Sequence, residues 1–474
     1  MTGFGFLVPL LILIEFASGM LQGAFPILLP PLADSLHLGA GDQALVTGVE
    51  FLVSGVAVPL SSRLGDLYGH RRMLRLTAAL CLAGFAVSAQ ASSFGEILAG
   101  RALCGFLACW LPLEFALLRD RLGADRGGRA IGLLVGALTL GTVAGAVAAG
   151  SLATDDAMLR PTLWGLAALP ALALVLMARR IPESLTRAGG RMDWGGGVLL
   201  SLGLLVLFGG LGSAGRGAAP LTAGCLAAAA VLLTLFVRRE LRTPNPMVDV
   251  KVLAGRATAP VFALSFLLGC VLYGSQAPTL AFQAASPAET GYGLGADSQT
   301  LGLLTLPSVL GATAGALVAV RLAGRLGARR TLVGAFLLAT AGYGSITLLH
   351  GSAAAFAVPG ALTGFGGGIG LSLLPGLLLH RLPAEQTGIG TGVYNTLKTL
   401  AGAATGALGA ALLDSLLLRP GTPSESAYTA VWAGCALLAA AGVAVAAALG
   451  GAGPAATRRP AGEPAAAAVV LPGA

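Results

Sequence analysis

Fourteen runs of about twenty apolar residues follow one another between residues 7 and 450, and no other feature limits the fold as tightly. They fall near 7–30, 44–62, 74–93, 97–118, 130–152, 162–178, 196–214, 219–237, 258–283, 300–320, 331–349, 354–379, 387–413 and 428–450. Each is long enough to cross the hydrocarbon core of a bilayer as a helix. In that core a helix satisfies all of its backbone N–H and C=O groups within the run itself. The charge content agrees: 11% of the 474 residues are charged, against about 25% in a soluble domain. So few charges cannot coat a water-soluble protein of this length. A soluble enzyme, a nucleic-acid binder and a disordered chain are excluded. The net charge of +8 is therefore informative through its placement, not as a sign of an acidic partner.

That placement gives a topology. With the N-terminus in the cytoplasm, Arg160, Arg216 and Arg419 fall in outer loops, and Arg101 and Lys398 fall within spans. The other 24 of the 29 Lys and Arg residues lie in cytoplasmic loops and the tail. This is the distribution of the positive-inside rule, and it puts both termini in the cytoplasm of a multi-pass cell-membrane protein. The first run is long and lacks a basic leader, so it reads as an uncleaved span. Cys81, Cys104, Cys109, Cys225, Cys270 and Cys435 all sit in apolar runs without paired spacing or nearby His clusters. They read as packing residues, not disulfides or metal ligands. Arg outnumbers Lys 27 to 2, which points to a GC-rich bacterial genome.

The sequence also repeats. Arg121-Leu122-Gly123-Ala124-Asp125-Arg126 is echoed by Arg381-Leu382-Pro383-Ala384-Glu385-Gln386, 260 residues later. Arg63-Leu64-Gly65 with Gly69-His70-Arg71-Arg72 is echoed by Arg325-Leu326-Gly327-Ala328-Arg329-Arg330; the double Arg matches at an offset of 258. Spans 9–14 therefore repeat spans 1–6, and spans 7 and 8 are an insertion. The expected units are residues 1–185, a two-helix insertion with linkers at 186–256, residues 257–450, and a disordered cytoplasmic tail at 451–474. Two such parallel halves form a transporter architecture, with a substrate site at mid-membrane between them.

Three motifs lie on this frame. The loop after span 2 reads Arg63-Leu64-Gly65-Asp66-Leu67-Tyr68-Gly69-His70-Arg71-Arg72. Span 4 carries Arg101 with Gly105, and span 5 carries Gly132, Gly141, Gly145, Ala146, Ala149 and Gly150. Ile181-Pro182-Glu183-Ser184, Asp193-Trp194-Gly195 and Asn245-Pro246-Met247-Val248-Asp249-Val250 add loop signatures. Over about residues 7–450 the chain resembles the major facilitator superfamily, most closely its fourteen-helix drug:proton antiporter branch. The resemblance implies an all-α membrane protein of two six-helix bundles plus two inserted helices. It also implies a cytoplasmic gating latch at Asp66, Gly69, Arg71 and Arg72, proton coupling through Arg101, and a close-packed rocking interface at Gly132, Gly141, Gly145 and Gly150. The physics of the latch is a carboxylate held between cations at a sharp turn, able to cap a neighbouring helix N-terminus. Small residues let helices touch closely. The chain departs from the family pattern at Ser62, Leu67 and His70 in the loop, and at Ala146 and Ala149 in span 5. Ala146 stands where the family has a kinking Pro, which weakens the sign of antiport.

Three carboxyls lie inside spans: Glu15, Glu50 and Glu114. Each is costly as a charge there and is a functional candidate for that reason. Glu15 lies roughly 12 Å deep, near the midplane, with Gln22 two turns on along the same face. It is the first choice for a proton-carrying or cation-recognising acid. Glu50 is at a depth similar to that of Arg101, and the two are expected to pair. Glu114 lies 13 residues past Arg101 and is expected on another side of span 4, snorkelling toward Arg119 and Arg121. The second half has no acid within a span; its cavity candidates are Tyr273, Gln276, Asn395 and Lys398. No nucleotide-binding loop, Ser/His pair or metal-ligand cluster is present in the sequence, so a proton gradient is the expected energy source, with no cofactor. The expected function is proton-coupled export of small amphipathic or cationic compounds by alternating access, from a monomer. Uptake by symport or facilitation, or a receptor that has lost transport, are the alternatives.

Overall fold

The computed structural model describes residues 4–153, 156–185, 192–213, 219–243, 246, 250, 254–379, 381, 387–419 and 421–449. The expected tail at 451–474, most of the Asn245–Val250 segment and the loop after Arg381 lie outside the described residues. Among the described residues, fourteen helical segments are long and apolar enough to cross a membrane. The first half holds α1 (Phe4–Ser35), α2 (Ala40–Tyr68), α3 (His70–Gln90), α4 (Phe94–Cys104), α5 (Trp110–Leu152) and α6 (Asp156–Arg179). Next come α7 (Trp194–Ser213) and α8 (Ala219–Glu240). The second half holds α9 (Ala259–Tyr273), α10 (Gln276–Ala284), α11 (Ser298–Leu326), α12 (Ala328–Leu348), α13 (Ala353–Leu379), α14 (Thr387–Ser415) and α15 (Glu425–Ala448). A two-strand hairpin, Leu417–Arg419 with Thr422–Pro423, joins the last two.

Two apolar cores result. One is built from α1–α6 around Leu11, Leu28, Phe85 and Trp110. The other is built from the second half around Phe262, Phe336 and Trp432, and it takes in Ala44 and Leu52 of α2 and Leu200 and Phe208 of α7. The helix assigned as α5 is continuous from Trp110 to Leu152, yet its two ends run oppositely along α1. Arg101 meets Phe25 and Glu114 meets Glu15, whereas Gly141 meets Phe16 and Gly145 meets Met20. The chain therefore reverses between Glu114 and Gly141, and α5 supplies both the end of span 4 and span 5.

Two departures from regular helix position the site. Five residues, Gly105–Cys109, wind as a 3₁₀ helix between α4 and α5. Pro112 has no N–H to offer the Ala108 carbonyl, so α-helical bonding fails there. Span 9 is expected as one helix but breaks at Gly274 and Ser275. Pro278 leaves the Gly274 carbonyl without its N–H partner for the same reason.

The end of the bundle carrying most of the loop arginines is here called the arginine-rich end, and the opposite end the base-poor end. From the base-poor end to mid-membrane the halves meet along α2 with α14 and α5 with α11. A Cβ on Gly48 would lie against the Phe208 ring and near the Ala403 carbonyl, and one on Gly150 would lie 2.7 Å from the Ser298 carbonyl. Within the first half, a Cβ on Gly141 or Gly145 would lie 2.1 Å from the Phe16 or Met20 carbonyl. Gly145→Val is expected to lose most of the folded protein, since backbone cannot move aside as a side chain does. Size-exclusion profiles of a fluorescently tagged variant check this. Gly136→Val, whose Cβ meets nothing within 4 Å, is expected to behave as wild type. Gly132 lies in α5, but its surroundings are outside the described residues. Ala146 is fully buried and its carbonyl lies 3.0 Å from a Cβ placed on Gly302, so close packing extends through the position where a Pro was missing.

The inserted helices α7 and α8 are tied at the arginine-rich end. Arg239 Nε donates to Asp193 Oδ1 at 2.9 Å and Nη2 donates to the same oxygen at 2.7 Å, while Asp193 Oδ1 also accepts from the Gly196 amide at 3.1 Å. The Arg239 guanidinium, then the first amides of α7, hold the Asp193 carboxyl below its ordinary value. The stabilisation is present above the unfolded carboxyl range, roughly pH 3.9, and is lost as pH falls through the depressed folded value. Acid titration of thermal stability is expected to lose that step in Arg239→Met.

Candidate functional site between and within the halves

Arg101 is 2% exposed and lies inside the first bundle. Gly105, one turn on, makes this position possible. A Cβ there would be 2.7 Å from the Glu50 carbonyl, and Ser54 Oγ donates to the Gly105 carbonyl at 2.9 Å. The close approach of α4 to α2 brings Arg101 Nη2 onto Glu50 Oε2 in an ion pair. The guanidinium also stacks over the Phe25 ring, 3.5 Å from its centroid. Its Nε and Nη1 have no hydrogen-bond partner among the described residues.

Glu50 faces the second half. Its neighbour Phe51 packs on Tyr273 with ring centroids 4.3 Å apart, and the Tyr273 hydroxyl is within electrostatic reach of the Glu50 carboxylate. The break after Tyr273 sets that side chain beside Gly402 of α14. Tyr394 follows, within reach of Tyr273, with a buried hydroxyl that has no partner among the described residues. Lys398 lies one turn on, its ammonium 5.7 Å from the Tyr394 ring centroid. Lys398 and Asn395 are half-buried, and no described acid forms an ion pair with Lys398. Thus Glu50, Tyr273, Tyr394 and Lys398 share one region across the interface, Arg101 lies behind Glu50 within the first bundle, and Asn395 follows Tyr394 on α14. Gln276 is half-buried at the start of α10, and Gln22 is exposed, donating to Ser18 Oγ at 3.2 Å. No hydrogen bond joins either to that region among the described residues.

Glu114 is not where sequence spacing placed it. It is 0% exposed and faces Glu15, which is 1% exposed. The cause is the 3₁₀ stretch: five residues at about three per turn advance the helix face by roughly 100° more than α-helical winding. That correction returns Glu114 to the side of span 4 that faces α1, the side Arg101 already occupies. Nearby Arg121 instead donates to the Glu183 carbonyl. The two carboxyls face each other with the Ser18 hydroxyl alongside, and no donor nitrogen reaches either among the described residues. An ionised carboxylate is an acceptor only, so two of them bond when one carries a proton. Such a pair can take up and release a single proton.

In the loop after α2, Asp66 caps no neighbouring helix in this conformer; it pairs with its own His70, Oδ1 to Nε2 at 3.3 Å. The capping carboxylate is Glu183, from a segment read only as a loop signature. Its Oε1 accepts from the Arg71 amide at 3.0 Å, at the N-terminus of α3. Gly69 has φ +110°, and a Cβ there would lie 2.6 Å from Glu183 Oε1. Arg71 Nη2 donates to the Ala178 carbonyl. Arg72 is exposed. The sharp glycine turn aims the free amides of α3 at the chain leaving α6, while Asp66 lies one turn back on α2. Reasoning from spacing also missed Tyr394 and Asp414. Asp414 stands one residue beyond the expected end of span 13, and its carboxyl occupies the space a Gly41 side chain would fill in the first turn of α2.

Comparison with known proteins follows the same architecture. A family model described as the Major Facilitator Superfamily matches residues 11–406 and 262–473. Among similar proteins, the multidrug efflux pump LfrA of Mycolicibacterium smegmatis is 28% identical over 388 residues, 78% of this chain and 72% of its own. The methyl viologen resistance protein SmvA of Salmonella typhimurium is 24% identical over 403 residues, 81% of this chain and 77% of its own. Among solved structures, the nucleoside transporter NupG superposes with a TM-score of 0.66 at 11% identity, covering 93% of this chain and 98% of that chain.

Proposed function

The chain belongs to the Major Facilitator Superfamily of membrane transporters, and we propose that it is a proton-coupled exporter of small amphipathic or cationic compounds. The observation that carries the coupling is the Glu15–Glu114 pair: two buried carboxyls in contact, with no cation to neutralise them among the described residues. The pair binds one proton in one conformer and gives it up in the other. Glu50 and Arg101 belong to the same bundle as the pair, with Glu50 toward the polar region of the second half, and they transmit or relay the change. Substrate binds between the halves against Tyr273, Asn395 and Lys398, with Gln22 and Gln276 at the margins. Support for export comes from the relatives, which are named for multidrug efflux and methyl viologen resistance. In this reading both termini are cytoplasmic, the source is bacterial, the protein works as a monomer, and Glu183 with Gly69 and Arg71 forms the cytoplasmic brace. Ethidium efflux from vesicles with an imposed pH gradient tests it; no pH-dependence of the flux rules it out. Ala146, in place of a kinking Pro, favours one other reading, coupled uptake. Proton flux in the same direction as substrate selects that reading.

A further inference from the structure

A cavity lies outside the interface between the halves. It encloses about 330 Å³ between α2, α3, the 3₁₀ stretch and α7. Leu52, Val56, Leu60, Phe106, Trp194 and Leu205 line it, from mid-membrane to the arginine-rich end. Of the three hydroxyl-bearing residues in the lining, Thr77 Oγ1 donates to the Met73 carbonyl at 2.9 Å, Ser201 Oγ donates to the Gly197 carbonyl at 2.7 Å, and Ser61 is buried beside the Cys109 thiol. The rest of the lining is apolar. An engineered cavity of about 150 Å³ with such a lining stays dry and takes an apolar guest. Here the walls belong to membrane-spanning helices, and Leu76 and Leu205 in the lining are 50% and 56% exposed, so the cavity opens toward lipid.

Three arginines stand near the arginine-rich end of the cavity, outside its lining: Arg63 on α2, one residue before Leu64, and Arg72 and Arg75 on α3, each one residue before a lining residue and so about 100° round the helix from it. Arg72 and Arg75 are exposed and Arg63 is half-buried. None of the three forms an ion pair among the described residues. Trp194 at the same level is 60% exposed, with the amphipathic ring that favours the membrane–water boundary. We propose that this cavity binds one acyl chain of an anionic phospholipid, whose phosphate meets Arg63, Arg72 and Arg75. The bound lipid fills the seam between the first bundle and the inserted helices. This site is independent of the direction of transport and of proton coupling.

Trp194 reports on the site directly. Trp110 and Trp432 are buried, and Trp164→Phe removes the other exposed indole. The purified Trp164→Phe protein is placed in phosphatidylcholine bilayers containing a small fraction of phosphatidylglycerol with brominated acyl chains, which quench indole on contact. Quenching about fivefold above that given by the same fraction of brominated phosphatidylcholine is expected, the preference the three arginines give an anionic lipid. Arg63→Gln with Arg75→Gln is expected to abolish the preference, and Ser201→Phe, which fills the cavity, to reduce the quenching itself. Quenching that simply follows mole fraction for both lipids means a bulk lipid boundary only and overturns the proposal. So does displacement of the brominated lipid by ethidium, which would make the cavity a substrate route. The comparison of the two lipids uses the folded parent protein, so it decides the question even where a variant misfolds.

Discussion

Glu114→Gln is expected to abolish pH-driven efflux while leaving the protein folded. Glu114 is fully buried against Glu15, and the amide of Gln supplies the donor that a shared proton supplies in the native pair. The variant therefore resembles the proton-loaded state and cannot discharge. If the discharged conformer falls to about 1% of its native population, the coupled rate falls by the same ~100-fold. Glu15→Gln is expected to do the same, because the proton belongs to the pair and not to one member. Vesicle efflux under an imposed pH gradient, with thermal unfolding measured on the same preparations, separates lost coupling from lost folding. Equal loss of efflux without a pH gradient contradicts a coupling role.

The second large effect falls on the Glu50–Arg101 pair. Arg101 is 2% exposed and lies against the Phe25 and Phe85 rings, so removing its counter-ion Glu50 leaves a cation in an apolar interior. Breaking a buried pair from one side costs about 3–5 kcal/mol. Glu50→Gln is expected to approach that cost. Arg101→Met is expected to cost less, because the Glu50 side chain is 19% exposed and can reach water. The double variant, with neither charge, is expected to recover part of the loss. Unfolding midpoints of the two single variants and the double variant in detergent check the order. A double variant no more stable than Glu50→Gln would mean that the pair is not the source of the cost.

The number of spans and the family were legible because hydrophobic length and motif spacing are one-dimensional signals. Arg101 and Glu50 were legible for a related reason, since two opposite charges at equal depth in hydrocarbon have few other ways to lower their cost. Glu114 was misplaced because helical spacing assumes constant winding, and the 3₁₀ stretch ahead of Pro112 resets the face. Glu183 was passed over because nothing in a four-residue loop signature says which helix end it will cap. Only the turn at Gly69 settles that. Asp414 was missed through a one-residue error in a helix end, a distance that matters little to a span and decides whether a carboxyl reaches α2. Tyr394 carries no sequence mark apart from its place one turn before Lys398.

The proposed mechanism rests on the Glu15–Glu114 pair coupling a proton to substrate movement. Purified Glu15→Gln/Glu114→Gln protein in proteoliposomes, with ethidium followed in two modes, tests that coupling without intermediaries. The variant is expected to exchange ethidium for ethidium across the bilayer but no longer to accumulate it when a pH gradient is imposed. Accumulation at the wild-type level under that gradient would contradict the mechanism.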